Sequence, residues 1–490
     1  MRCILLLVVS SYLSFAADAY VAQTSAGSNT GTNCANARAV SSLSSSDWGA
    51  GNNVHLCGNI TSQVSIGASG ASGNPTQLIF EPGASMSQAS WGTVCVVNFS
   101  NFDWVVVDGG TAGSISPTNY NGYVANTNVN STNNATVDTD AVCGQPTNNS
   151  IVKNLAAINL YVKTTNDSNG FGDGIHLWGS NDRVTNSMVH DMKQGISIDY
   201  LNTQSGGEID HNLGYNNNWC FTTSDRNASS SSTGMLIHNN VCHDWANWDN
   251  PAQNDFHHNG VFVIINNDTA WIAGLQVYSN YFYGDVGVFM TGNIFLDSEG
   301  NGSGSHASYD GTVVFNNLFV NSSTIDAPSN AQIIAKANGG NPAVSIYNNT
   351  FVYQPSSKGR CIMNQGAVLA GENNTGSQCS LAYYNSAGTI SLSDYNDWYA
   401  AGGNDATEGS HSIVLNPLLT GVYTLGVGSP AIGAAQNLTP LSIIPLDSDL
   451  AGISRPSSGP WDIGAYQYVP PPSGGVRSGP TVQAGPTVKQ

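Results

Sequence analysis

The chain has 490 residues, of which only 9% are charged, with 32 acidic against 13 basic side chains and a net charge of −19. That balance argues against nucleic acid and anionic membranes as partners, because both attract a basic surface. Ordinary globular proteins carry roughly 25% charged residues; here Gly, Asn, Ser and Thr fill the gap, which favours turn-rich β-structure over helices.

In chain order, the first predicted element is a secretory signal. Met1-Arg2 gives a short positive start, and Cys3 to Phe15 is mostly apolar but too short to cross a bilayer. Ala17-Asp18-Ala19 offers an A-x-A cleavage site. Residues 1–19 are therefore expected to leave, with the mature chain starting near Tyr20 outside the cell. No later stretch holds about 18 continuous apolar residues, so no membrane span is expected. Residues 20–90 are expected to form an N-terminal cap and first coils, and 91–411 the body. Residues 412–468 are expected to form a closing segment, and 469–490, rich in Pro and Gly, a disordered tail. The mature chain keeps Cys34, Cys57, Cys95, Cys143, Cys220, Cys242, Cys361 and Cys379. An even count in an exported chain points to disulfides, and sequence proximity suggests four local pairs taken in order.

Within the body one pattern recurs: VTNSMV at 184, IDHNLG at 209, IHNNVC at 237, VYSNYF at 277, VFNNLF at 314 and IYNNTF at 346. The fourth position is Ser187, Asn212, Asn240, Asn280, Asn317 and Asn349, and successive copies are 25, 28, 40, 37 and 32 residues apart. Between them falls a second strand-like pattern: DGIHL at 173, QGISI at 194, WCFTT at 219, NGVFV at 259 and VGVFM at 286. Each unit thus carries at least two short strands and two turns, and no stretch shows a sustained helical period. Such a unit cannot bury its apolar face alone. Stacking the units at about 4.8 Å gives continuous parallel sheets, so the predicted fold is all-β, a single right-handed parallel β-helix with caps at both ends. Asn at equivalent turns is expected to form an inward ladder that satisfies turn backbone.

Alternation along the second pattern places Ile175 and Leu177 inward and His176 and Trp178 outward. Two outward columns follow: His176, Ser197, Thr222, Phe262, Phe289; and Trp178, Asp199, Ser224, Ile264, Thr291. Asp173, Lys193, Trp219 and the Asp255-His257-His258 group stand just before these strands. The step from Cys220 to Gly260 is 40 residues, against 21 to 27 elsewhere in this series. Its excess, within HDWANWDNPAQNDFHH, is expected to project as a loop beside the same face, where long loops commonly carry function. The catalytic candidates are Asp173, His176, Lys193, Asp199, Asp255, His257 and His258. Trp178, Trp219, Trp245 and Trp248 are candidates for stacking on sugar rings, with Arg226 as a cationic partner. His190, His211, His238 and His243 lie in repeated turns and read as structural. No spaced ligand set marks a metal site; no cofactor is expected, although Ca²⁺ bridging would be needed by a highly anionic polymer.

The Asn-turn repeats, the stretch NNVHLCGNIT…GNPTQLIFEPGA and the stretch GSPAIGAA…DLAGISRPSSGPWDIGAYQY resemble the secreted parallel β-helix proteins related to pectate lyases. The resemblance covers most of residues 20–468. It implies the fold, and it implies a carbohydrate-active protein, more often than not cleaving a polysaccharide, with hydrolysis, β-elimination from a uronate and uronate epimerisation as the enzymic readings; the D-P-H-D signature of some epimerases is absent. The alternative is a non-catalytic adhesin-like or glycan-binding β-helix. GDGIHL is similar to one polygalacturonase strand, but the expected D-D pair is Lys193-Gln194 here and the expected G-H-G is Asn218-Trp219-Cys220, so that mechanism is disfavoured.

Overall fold

The computed structural model describes residues 17–118, 139–160, 172–225, 231–245, 258–265, 270–287, 290–298, 308–321, 331–353 and 359–471. They wind into a right-handed parallel β-helix in which every paired strand of the three long faces runs parallel to its neighbours. Each coil has three strands, one more than the sequence pattern demanded. One coil runs Asp173–Ser180, Arg183–Thr185 and Met188–His190; the next runs Gln194–Asp199, Glu208–Asp210 and Leu213–Tyr215. We call the faces they build the first, second and third sheets. The long strands Arg360–Glu372 and Leu381–Asp394 run through both of the first two sheets and join them, among the described residues, into one 23-stranded network; the third sheet has 12 described strands.

The turn between the second and third sheets explains the recurring asparagines. The first residue of each turn takes a left-handed conformation, as at His211, Asn239, Ser279, Asn316, Asn348 and Asn373, where Asn is among the best tolerated residues. The next residue points inward. Asn212, Asn240, Asn280, Asn317, Asn349, Asn374 and Asn396 form a buried ladder in which each side-chain oxygen accepts the preceding coil's backbone N–H at 2.9–3.0 Å. Each amide in turn donates to a main-chain carbonyl, as Asn280 does to Ile237 at 2.9 Å. At the last rung Glu408 closes the series. It accepts from Asn396, Ser393, Ser412 and the Trp398 indole.

The repeated glycine of the DGI and NGV strands has a packing cause. A Cβ on Gly195 would lie 2.6 Å from the Cys220 carbonyl oxygen, and one on Gly260 would lie 2.4 Å from the Phe282 ring. The interior is apolar along its length, with Ile175, Leu177, Ile196, Ile198, Phe221, Val261 and Val263 in one continuous cluster. Disulfides join Cys34–Cys57, Cys95–Cys143, Cys220–Cys242 and Cys361–Cys379, the pairing in order that sequence proximity suggested.

The first strand is Asp18–Ala22, fully in register with Asn53–Cys57. The closing segment lies along the side of the solenoid. Its Leu425, Leu438, Leu446, Trp461 and Ile463 pack on Tyr278, Phe315 and Tyr347 of the second sheet. The outward left-handed asparagines hold it there. Asn316 accepts from Arg455 at 2.9 Å, Asn348 donates to the carbonyls of Asp462 and Gly464, and Asn373 exchanges two hydrogen bonds with Gln436. In these NN turns the first Asn binds the segment and the second continues the ladder. No described helix is long and apolar enough to cross a membrane.

Candidate functional site

The first sheet brings Asp173, His176 and Asp199 together. His176 and Trp178 leave their strand on its outer side, and register places His176 opposite Ser197 and Trp178 opposite Asp199 on the next coil. The His176 imidazole bridges two carboxylates: Nε2 lies 2.9 Å from Asp199 Oδ2 and Nδ1 lies 3.4 Å from Asp173 Oδ2. Burial opposes a charge on this ring, but the hydrogen bonds and charges of Asp173 and Asp199 outweigh it and raise its pKa to about 10. His176 is therefore an imidazolium at neutral pH. The Asp199 side chain is 1% exposed, His176 12% and Asp173 20%, so the cluster opens to solvent through Asp173. Trp178 stacks on the imidazole at 4.8 Å and is half-buried.

Two further candidates sit beside this cluster. Lys193 stands at the start of the next strand, its ammonium 6.0 Å from the Trp219 ring centroid. Trp219 is half-buried and packs on Phe262 at 4.9 Å. Trp245 belongs elsewhere. It is fully buried in the main core, and its indole N–H donates to the Asn259 carbonyl at 3.2 Å. It is a core tryptophan, placed inward by the return turn from the third sheet, and is corrected as a sugar-stacking candidate. His258 is also fully buried, with Nδ1 3.1 Å from Asn218 Oδ1; its surroundings are those of a turn residue between coils. Asp255, His257, Trp248 and Arg226 lie outside the described residues.

The outward columns hold through Phe262 and Ile264, then change. The fifth strand is Gly292–Ser298, which pairs Phe262 with Phe295 and Ile264 with Asp297. The columns therefore pass through Phe295 and Asp297, whereas the sequence pattern put Phe289 and Thr291 there. The same register shows long connections on three coils in succession: the strand starts advance by 40, 33 and 39 residues from Trp219 to Asn259, Gly292 and Ala331. Beyond Thr222 the outer face turns apolar, with Phe262, Phe295, Ile334 and Met363 forming their own cluster. Lys336 pairs with Asp297 at 2.8 Å, and Arg360 lies 4.0 Å from the Tyr384 ring centroid.

The histidines read as structural find local partners. His190 and His243 bond Asp191 and Asp244 at 2.7 Å and stack with Tyr215 and Tyr283 in one four-ring column on the third sheet. His211 bonds Asp210, and His238 bonds Glu208 and stacks on Tyr278. Among the described residues, no group of three or more His, Cys, Asp or Glu could hold a metal ion.

Fold and cluster together define a parallel β-helix protein with an acid–imidazole–acid site on its first sheet. No family model and no curated protein matches the chain. Among solved structures it resembles XylC in complex with xylose, at 9% identity and a TM-score of 0.52, over 92% of this chain and 98% of that one. It is also similar to the pectate lyase Pel9A, at 12% identity and a TM-score of 0.43, covering 93% and 97%. A third is the GH136 lacto-N-biosidase from Eubacterium ramulus, at 10% identity and a TM-score of 0.45, covering 81% and 68%. At these identities the likeness establishes the fold alone.

Proposed function

We propose that this chain is an exported carbohydrate-active protein that cleaves a polysaccharide by hydrolysis on the outer side of its first sheet. The observation that carries the reading is the His176 imidazolium held between Asp173 and Asp199 beside two partly exposed indoles. Cleaving a glycosidic bond needs a proton donor to the leaving oxygen and a carboxylate that activates water or attacks the anomeric carbon. His176, anchored by buried Asp199, is the donor. The glycosidic C–O bond breaks as the leaving oxygen takes the His176 proton; because Asp173 and His176 are only 3.4 Å apart, one water then adds to the oxocarbenium carbon on the same face and gives its proton to Asp173, the carboxylate nearest solvent. Asp173 then returns its proton to His176, directly or through water, so one water is consumed and the site is restored. Trp178 and Trp219 offer apolar faces to sugar rings.

Hydrolysis is preferred to elimination because both imidazole nitrogens of His176 face a carboxylate, an arrangement that favours the protonated, donating ring over the base that takes a carbon-bound proton from a uronate. Export is supported by four disulfides, which persist in oxidising compartments. The test is a panel of polysaccharides read both for new reducing ends and for the ultraviolet absorbance of unsaturated products. Reducing ends without absorbance, lost in Asp173→Asn, are expected. Absorbance together with reducing ends would replace hydrolysis by elimination. Binding without either would leave a glycan-binding scaffold.

A further inference from the structure

Three polar groups on the outer side of the first sheet find no hydrogen-bond partner among the described residues: Gln194 Nε2, Ser197 Oγ and Thr222 Oγ1. They are neighbours. Register sets Ser197 opposite both His176 and Thr222, and Gln194 opposite Trp219. All three residues are more than nine-tenths buried, at 5%, 0% and 1% exposure. An orphaned buried polar group is costly, and native proteins keep few of them without a reason. Structure alone does not require these residues. The same outward column continues as Phe262, Phe295, Ile334 and Met363, and a β-branched apolar residue at 197 or 222 would suit a strand and leave nothing unpaired.

We infer that Gln194, Ser197 and Thr222 form a subsite for an uncharged sugar ring, next to the Asp173–His176–Asp199 cluster and walled by Trp219. The inference rests on the reading of this face as a carbohydrate site. Two hydroxyls that both donate and accept, with a carboxamide that donates, match the hydroxyl groups of a neutral pyranose. A uronate carboxylate here would compete with Asp173 and Asp199 for an imidazolium they already share. Lys193, over the Trp219 ring, is the cation such a uronate would need, so the probes include one.

The experiment is calorimetric titration of the full chain with cellohexaose, xylohexaose and hexagalacturonate, for the wild type, Ser197→Ala, Thr222→Val and Gln194→Leu. The wild type is expected to bind a neutral hexasaccharide more tightly than hexagalacturonate. Each variant is expected to lose about five- to tenfold in that affinity, the scale of one lost hydrogen bond. Its melting temperature should stay level or rise, because no bond within the fold is removed. Unchanged affinity in all three variants overturns the subsite, as does a fall in melting temperature with affinity intact. Preference for hexagalacturonate overturns the neutral-sugar assignment. If none of the three probes binds, the subsite falls, while cleavage in the polysaccharide panel would still uphold the underlying site.

Discussion

Replacing Asp199 by Asn removes one of the two carboxylates that flank the His176 ring, and the consequence can be worked out. Asp199 lies 2.9 Å from Nε2 and is 1% exposed, whereas Asp173 lies 3.4 Å from Nδ1 and is 20% exposed. Both carboxylates raise the ring's pKa through a hydrogen bond and through their charge, and a single opposite charge at such range moves a pKa by about 1–3 units. The His176 pKa, at about 10 in the native chain, should therefore fall by about two units in Asp199→Asn. A raised imidazole pKa stabilises the fold below its unfolded value of 6.5 and ceases to do so as pH rises through the folded value. The native protein should thus lose His176-linked stability between about pH 6.5 and 10, and the variant should lose less and sooner. Two units correspond to about 3 kcal/mol, so the two proteins should differ by that much near pH 6 and converge by pH 10. The assay is an NMR titration of the imidazole C2 protons, with the His176 signal assigned by its absence in His176→Gln. The chain has only 10 histidines, which keeps the spectrum tractable. A His176 that titrates between pH 6 and 7 in the native chain, or that stays near pH 10 in the variant, would refute the ion-pair account and the proton-donor role with it.

Three further outcomes test the frame around the site. Asn317→Ala should cost about 3–5 kcal/mol, because it leaves the Asn280 N–H and the Val277 carbonyl buried without partners; amide exchange at Asn280 should accelerate, and unchanged protection there would count against the ladder. Asp397 is buried with one backbone donor, and burial pushes its pKa up to about 7. An acid with a raised pKa weakens the fold as pH climbs above its unfolded value, so Asp397→Asn should stabilise the protein at pH 8 and leave it nearly unchanged at pH 4 in denaturant unfolding. Arg455→Met removes the bonds from its guanidinium to Asn316 and to the Gly464 carbonyl; limited proteolysis should then cut within 414–468 faster, while the coils stay resistant.

The parts of the molecule that were legible in the sequence are those where one residue has one physical job. The ladder asparagines could be read because an inward amide at a turn must repeat on every coil. The cysteine pairs could be read because neighbouring coils bring near residues together. Alternation placed His176, Trp178 and Asp199 on one side of their strands, and the register between coils supplied what alternation lacks, namely which outward residues touch. The same alternation failed after Val286. VGVFM and GNIFL both alternate, and the strand is chosen by pairing with Asn259–Ile265, which local pattern does not encode. Trp245 was misplaced for a related reason: in a turn there is no alternation to orient a side chain, and aromatic character alone does not distinguish a core residue from a sugar platform.

The paired asparagines carry one more consequence. In the NN turns the left-handed first residue directs its side chain toward the solenoid's flank, while the second is consumed inside by the ladder. At Asn316, Asn348 and Asn373 the closing segment covers that flank and binds it through main-chain or guanidinium contacts. These contacts fall on the second and third sheets, leaving the outer side of the first sheet to Asp173, His176 and Asp199. A sequence in which the first Asn of each pair were Gly would satisfy the left-handed turn equally well and would keep the ladder. It would lose the side-chain contacts that hold residues 414–468 against the flank. The doubled asparagine is therefore a joint specification: one residue fixes the interior stack and its neighbour fixes where the chain returns. Replacing Asn316, Asn348 and Asn373 together by Gly should release the closing segment to protease while barely changing the proposed cleavage at Asp173 and His176; release accompanied by collapse of the coils would show that the flank contacts also hold the solenoid together.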